Sequence, residues 1–263
     1  MYEFNYHKPA SLDDAARLLG AEEAKLVAGG MTLVPTLKLR LAKPSDLVDL
    51  ATIASLKGIS EEGNAVVIGA MTRHADVNRS AVVNRAIPAL AALAGMIGDP
   101  AVRNRGTIGG SVANNDPAAD YPAGLVGLGA TVRTTKRQIA ADDFFTGMFE
   151  TALGQDEIIT AISLPKPLAA AYQKFKNPAS RYAIVGVFVA RTAGGVRVAV
   201  TGAGPCVFRV PAMEAALGAS FTADAIKDIA IPDDGLNSDI HASAEYRAHL
   251  VGVMARRAVV ACA

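Results

Sequence analysis

Apolar positions in this chain come in short groups separated by glycine, proline, asparagine and aspartate, and their spacing switches between helical and strand-like periods. Ser11 followed by Asp14 reads as a helix start, with Leu12, Ala15, Ala16 and Leu19 on one face and Gly20 as the stop. Apolar runs at 26–28 and 47–50 read as short buried strands on either side of a helix over 33–41, where Leu33, Leu37 and Leu41 recur every fourth residue. Together they predict a small β-α-β-like lobe over 1–55.

A second lobe, over 56–166, begins at the turn Glu61-Glu62-Gly63-Asn64 and the strand 66–70. Thr72 is the expected cap of a short helix, and His74, which looks catalytic in isolation, is read as an ordinary surface or helix-start residue. Pro88 suits the first turn of a helix over 89–96 that Gly98 closes. Ile158, Thr160, Ile162 and Leu164 alternate as the last strand of this lobe, and Pro165-Lys166-Pro167 marks a boundary. Beyond it, 185–191 and 196–200 read as a hairpin joined at Thr192-Ala193-Gly194-Gly195, and helices near 211–217, 222–230 and 243–260 complete a smaller domain over 167–263. On the last helix Tyr246, Leu250, Val253 and Met254 share one side, while Arg247, His249, Arg256 and Arg257 read as a solvated or subunit-facing edge.

Composition narrows the class. Of 263 residues, 51% are apolar, which supports proper cores, but aromatics are 5% and tryptophan is absent, so Ala, Val, Leu and Ile must fill them. A net charge of +1 gives no single-sign field for nucleic acid or anionic lipid. No apolar run approaches the ~20 residues of a membrane helix. The first residues lack the basic and apolar regions of a signal peptide, so a cytoplasmic location is expected. Cys206 and Cys262 stand far apart without cluster spacing, so an iron–sulfur centre is expected in another subunit and a disulfide is not.

The most unusual stretch is 97–120, rich in glycine, asparagine and aspartate and with little helical or alternating period, which reads as ordered, non-repetitive backbone lining a site. Its Gly109-Gly110 pair has a counterpart in Ala28-Gly29-Gly30-Met31-Thr32, where a short strand runs through glycines into a helix. Adjacent glycines let backbone N–H groups converge on a phosphate or a flat ring, so a branched side chain at Gly29 or Gly110 is expected to exclude a cofactor. The spacing is neither GxGxxG nor GxxxxGK[ST]. Arg103 and Arg105 flank the second pair and suit either a phosphate, a docking partner or plain solvation. Asp116 and Asp120 lack a third ligand, so loop capping or a ribose contact is favoured over a metal, and no catalytic acid, base or nucleophile stands out.

These blocks resemble the FAD-binding medium subunits of molybdenum hydroxylases, of the xanthine dehydrogenase and carbon monoxide dehydrogenase type. Their flavin motifs read roughly Ala-Gly-Gly-His-Ser or Ala-Gly-Gly-Thr-Asp, and Thr-Ile-Gly-Gly-Asn followed by Asp-Pro-Ala-Ala-Asp. This chain has Ala28-Gly29-Gly30-Met31-Thr32, Thr107-Ile108-Gly109-Gly110-Ser111 and Asp116-Pro117-Ala118-Ala119-Asp120 in the same order. A third block, Asp143-Phe144-Phe145-Thr146-Gly147 through Asp156-Glu157-Ile158-Ile159 to Pro165, is also similar. Met31 replaces a polar residue and Ser111 the usual asparagine.

The resemblance implies an α+β fold: a two-lobed FAD-binding domain of the PCMH/vanillyl-alcohol-oxidase-like kind, then a smaller α+β C-terminal domain of the CO dehydrogenase flavoprotein type. It implies bound FAD, with Leu26, Val27, Ala28, Gly29, Gly30, Met31, Thr32 and Leu33 and Thr107, Ile108, Gly109, Gly110 and Ser111 around the diphosphate, and since neither glycine motif holds a His or Cys to form a flavin linkage, the binding is expected to be noncovalent. Ile97, Asn114, Asp120 and Ile159 are further family contacts, and Tyr182 resembles an aromatic beside the isoalloxazine ring. Lys174 matches a lysine placed near the cofactor, where a cation favours the anionic reduced flavin, although its pattern also suits an exposed strand lysine. The implied partners are a large molybdenum-cofactor subunit and a small subunit carrying [2Fe-2S] clusters, in a dimer of heterotrimers. The implied function is electron transfer from those clusters through FAD to an external acceptor; a flavin-free assembly protein and a self-contained FAD oxidase are the alternatives.

Overall fold

The computed structural model describes residues 1–262. The first lobe contains β1 (Asn5–His7), α1 (Leu12–Leu19), β2 (Lys25–Val27), α2 (Leu33–Lys38) and β3 (Asp46–Asp49), with the strands in the parallel order β1-β3-β2. Ser11 caps α1 by accepting from the Asp14 N–H. The helix predicted over 33–41 stops at Lys38. Arg40 takes φ +59°, and the N–H groups of Arg40 and Leu41 turn back to the Leu37 and Thr36 carbonyls, a Schellman-type closure made without glycine. Leu41 is therefore 74% exposed and does not continue the buried stripe of Leu37.

The second lobe opens with β4 (Ile59–Glu62) and β5 (Ala65–Gly69), followed by the helices α3 (His74–Arg79), α4 (Ala81–Ala86), α5 (Pro88–Gly95), α6 (Pro100–Arg103), α7 (Ile108–Asn114) and α8 (Tyr121–Leu128). It continues through β6 (Thr131–Thr134), β7 (Gln138–Ala140), α9 (Ala141–Phe144), the small hairpin β8 (Phe145–Gly147) and β9 (Glu150–Thr151), and β10 (Ile159–Pro165). Its antiparallel sheet runs β4-β5-β10-β6-β7. Thr72 is not a helix cap, because its hydroxyl is engaged with the N–H and C=O of Gly58. The stretch 97–120, expected to be non-repetitive, contains α6 and α7. Asp99 and Thr107 accept from Val102 N–H and Gly110 N–H and nucleate these short helices despite their glycine content.

The C-terminal part has the antiparallel sheet β11 (Ala169–Lys176), β12 (Ala183–Thr192), β13 (Gly195–Thr201) and β14 (Phe208–Arg209), with α10 (Pro211–Ala219) and α11 (Ala244–Ala261). The helix expected over 222–230 is only a 3-10 segment, Ala223–Ile226. Strand period explains how this sheet joins the molecule. Phe188 and Ala190 of β12 point into the second lobe's core, with Tyr172 and Ala199 from the neighbouring strands, while Val185, Val187 and Val189 face α10 and α11. Both faces are buried, so β12 reads as a continuous apolar run. Each fully buried residue of Val or Phe size contributes about 1.5–3 kcal/mol relative to exposure.

Arg247 corrects the expectation of a solvated edge. It is 4% exposed and donates to the carbonyls of Ile184 and Gly202 and to Asp239, tying α11 to the ends of β12 and β13. Tyr246, expected on the apolar side, is 43% exposed instead.

Candidate functional site

A cleft of about 540 Å³ lies where the two glycine segments, the 177–182 loop and the end of β10 meet. The glycine segments do different things there. A Cβ on Gly29 would collide with the Arg105 carbonyl oxygen and lie 2.7 Å from Gly106 Cα, so Gly29 is where the first lobe's backbone touches the second. Gly30 turns the chain at φ +73°. Among the described residues, none accepts a hydrogen bond from the backbone N–H of Gly29, Gly30, Met31 or Thr32. Those donors border the cleft and suit an anionic ligand.

Gly109 and Gly110 are helical. Gly109 N–H donates to the Ala70 carbonyl at 2.8 Å, and a Cβ there would lie 2.6 Å from Ala70 Cβ. Gly110 N–H donates to Thr107 Oγ1 at 3.2 Å, and its Cβ would lie 3.4 Å from Ala28 Cβ. The second pair thus lets α7 sit flush against the lobe's sheet and the first glycine turn, and its N–H groups are already used.

At the other end a buried polar group backs the wall. Asp120, 4% exposed, accepts from Tyr172 Oη at 2.5 Å and Lys174 Nζ at 2.8 Å, and Lys174 also donates to the Met96 carbonyl at 3.2 Å. Burial pushes the Asp120 carboxyl up from its ordinary range, against the pull of Lys174 and of the Tyr172 hydroxyl. Desolvation, then the Asp120 charge, likewise raises the Tyr172 phenol. Tyr182, half exposed at the mouth, is raised by burial and by Asp116 and Asp120.

Most of the residues singled out in the sequence line this cleft: Leu26, Ala28 to Leu33, Ile97, Thr107, Gly109 to Ser111, Asn114, Asp120, Ile159 and Tyr182. Three do not. Val27 belongs to the β2 ladder opposite Asp49, and Ile108 is fully buried in the lobe's core. Lys174 stands behind Asp120 with its side chain 1% exposed, neither an exposed strand lysine nor a group on the cleft surface. Arg103 caps the loop by donating to the Ile97 and Gly98 carbonyls, and Asp116 closes a turn by accepting from Ala118 N–H.

Other lining residues had no clear signal. His74 starts α3 but is 4% exposed and lies under Gly106, whose Cβ would meet His74 Nε2 at 2.5 Å. Burial, then the Arg103 charge, pushes its imidazole down to about 4, so it is neutral near pH 7. Glu157 is also buried; desolvation alone would raise it, yet Arg137, the Gly154 N–H and the Thr134 hydroxyl together hold it at about 2. Arg181 and Phe149 reach the mouth through backbone at φ +64° and +58°, which no local pattern announces.

Among the described residues, no group of three or more His, Cys, Asp or Glu could hold a metal ion, and both cysteines are free. Among the described residues no helix is long and apolar enough to cross a membrane. The cleft therefore combines unpaired backbone donors, close-packed glycines and apolar walls from Ile97, Leu33 and Ile159, a set that fits a flat ring joined to phosphates.

Two family models account for nearly the whole chain: "FAD binding domain in molybdopterin dehydrogenase" matches residues 2–167, and "CO dehydrogenase flavoprotein C-terminal domain" matches residues 170–261. The chain is 37% identical to the carbon monoxide dehydrogenase medium chain of Hydrogenophaga pseudoflava over 274 residues, covering 97% of this chain and 96% of that one. It is also 37% identical to the nicotine 6-hydroxylase medium subunit of Paenarthrobacter nicotinovorans, over 97% and 95% of the two chains. Among solved structures, carbon monoxide dehydrogenase from Hydrogenophaga pseudoflava superimposes with a TM-score of 0.90 at 39% identity, over 99% of this chain and 97% of that one.

Proposed function

The chain belongs to the FAD-binding medium subunits of the molybdenum hydroxylases, and from that premise we propose that it holds FAD noncovalently in the cleft and passes electrons from a partner's iron–sulfur clusters to an external acceptor. The observation that carries this reading is the row of unpaired N–H groups at Gly29 to Thr32 beside an apolar-walled cleft. Bound FAD supplies electron transfer in one- or two-electron steps. The chain's own residues bind and orient. The Gly29 to Thr32 N–H groups hold the diphosphate, Ile97, Ile159 and Tyr182 border the ring system, and Thr107, Ser111 and Asn114 line the opposite wall. Asp120 is fixed by Tyr172 and Lys174 and presents a hydrogen-bonded carboxyl edge to the cleft.

Neither departure from the family motif removes these donors. Met31 is 37% exposed at the rim and keeps its N–H free, and Ser111 lies in α7 with its N–H bonded to the Thr107 carbonyl. The reading divides the chain into lobes over 1–55 and 56–166 and a C-terminal domain over 167–263. It places the molybdenum cofactor and [2Fe-2S] clusters in large and small partner subunits, as a dimer of heterotrimers in the cytoplasm.

Purified chain mixed with FAD should give a yellow protein whose flavin is released into the supernatant by acid precipitation. Flavin retained on the denatured polypeptide would refute noncovalent binding. In the assembled complex, removing FAD should stop reduction of the acceptor while substrate still bleaches the iron–sulfur absorbance in rapid mixing. Clusters left oxidised in that experiment, or substrate turnover by this chain alone, would overturn the electron-transfer role.

A further inference from the structure

The connection between β8 and β9 is two residues long, Met148 and Phe149, with Gly147 paired to Glu150. Phe149 is its second central residue and takes φ +58°, a position that turn chemistry gives to glycine or asparagine because a side chain there is strained. Burial does not account for a phenylalanine here, since Phe149 is 56% exposed. Nor is the turn loose. Asn115, 1% exposed and itself at φ +41°, donates from Nδ2 to the Gly147 carbonyl at 2.8 Å and the Glu150 carbonyl at 2.7 Å, and its own carbonyl accepts from Phe149 N–H at 3.2 Å. Two left-handed residues thus brace each other, and the brace grows from the C-terminal end of α7, the helix of the second glycine pair.

Phe149 lines the cleft, as does Tyr182. Asn115, which braces this turn, directly precedes Asp116, so the turn is anchored in the segment that carries the cleft-lining Asn114, Asp116 and Asp120. Strain retained at an exposed aromatic facing a binding cleft is the pattern expected where backbone energy is held for ligand contact.

We propose that Phe149 is a cofactor-binding residue, held by Asn115 at the mouth of the cleft so that its ring packs against a flat ring of bound FAD. This rests on the FAD reading above and adds to it a contact that no glycine motif signals. Strain and contact have separable consequences. Phe149→Gly removes the strain and the ring together, whereas Phe149→Tyr keeps both.

The test uses the full-length chain, with FAD affinity from calorimetric titration and the melting temperature of the flavin-free protein. For Phe149→Gly we expect a melting temperature equal to or above wild type and an FAD dissociation constant raised about tenfold, the loss of one good aromatic contact. Phe149→Tyr should match wild type in both. Wild-type affinity in Phe149→Gly overturns the proposal and leaves the ring to a partner subunit. A lowered melting temperature in Phe149→Gly, or weakened FAD binding in Phe149→Tyr, overturns it in favour of a structural role. If the wild-type chain takes up no FAD, both this contact and the functional reading fall; if it does and Phe149→Gly binds equally well, only this contact falls.

Discussion

The two Gly-Gly segments look interchangeable in sequence and differ in the folded molecule. At Gly29-Gly30 the backbone leaves four consecutive N–H groups without protein partners, while at Gly109-Gly110 the N–H groups are bonded to Ala70 and Thr107. The first segment can bind; the second brings a helix close enough to form the opposite wall. A glycine pair signals that something approaches closely, but whether that is a ligand or the protein's own backbone depends on what packs there.

Away from both glycine pairs the cleft wall is backed by buried polar side chains, and the largest expected effect comes from removing one. Lys174→Met leaves the Asp120 carboxylate buried without its ammonium and should cost about 3–5 kcal/mol in urea unfolding. A loss below about 1 kcal/mol would show that Asp120 is neutral in the fold, as burial alone favours.

Next comes the imidazole under Gly106, just ahead of the second segment. His74 titrates near its ordinary 6.5 in the unfolded chain and near about 4 in the fold, so the unfolded state binds more protons between those values. Stability should be flat above pH 6.5, fall as pH drops toward 4, and lose roughly 3 kcal/mol in all. His74→Gln should flatten that slope in melts across the range; an unchanged slope would assign it to other groups.

Within the glycines themselves the contrast sharpens. Gly29→Ala and Gly109→Ala both press a methyl group onto neighbouring backbone, and each should cost about 1–3 kcal/mol. Loss of flavin by Gly29→Ala thus reports lobe contact as well as cofactor approach, which alters the expectation that a side chain there acts only by blocking the ligand. Gly30→Ala meets only Val34 Cγ2 at 3.0 Å, and its penalty should come mainly from the left-handed φ, about 1 kcal/mol. Equal losses at Gly29 and Gly30 in chemical denaturation would erase the distinction.

Local pattern was enough for elements whose signals are local. Ser11 capping α1, the alternation at Ile162 and Leu164, and the β12–β13 hairpin each depend on residues a few positions apart, and the structure has them all. The motif blocks around Ala28 and Thr107 likewise pointed to one cleft, because a glycine turn and a capped helix start are both set by residues a few positions apart. Other features stayed hidden because their causes are distant in sequence. Arg247 looked like a surface cation, but carbonyls left at the ends of β12 and β13, from Ile184 and Gly202, draw it inward. Lys174 carried its charge legibly; that Asp120 and Met96 would consume it required the sheet to fold against α8's approach loop.

The sequence by itself determined the helix and strand periods, the places where only glycine fits, and the family motifs, since steric and capping rules act within a few residues. Tertiary structure alone decided which backbone N–H groups remain free, which buried charges are paired, and that Phe149 stands strained at the cleft mouth. Those outcomes depend on partners up to tens of residues away, and a buried polar group is stabilised or left open only by what the completed fold brings against it.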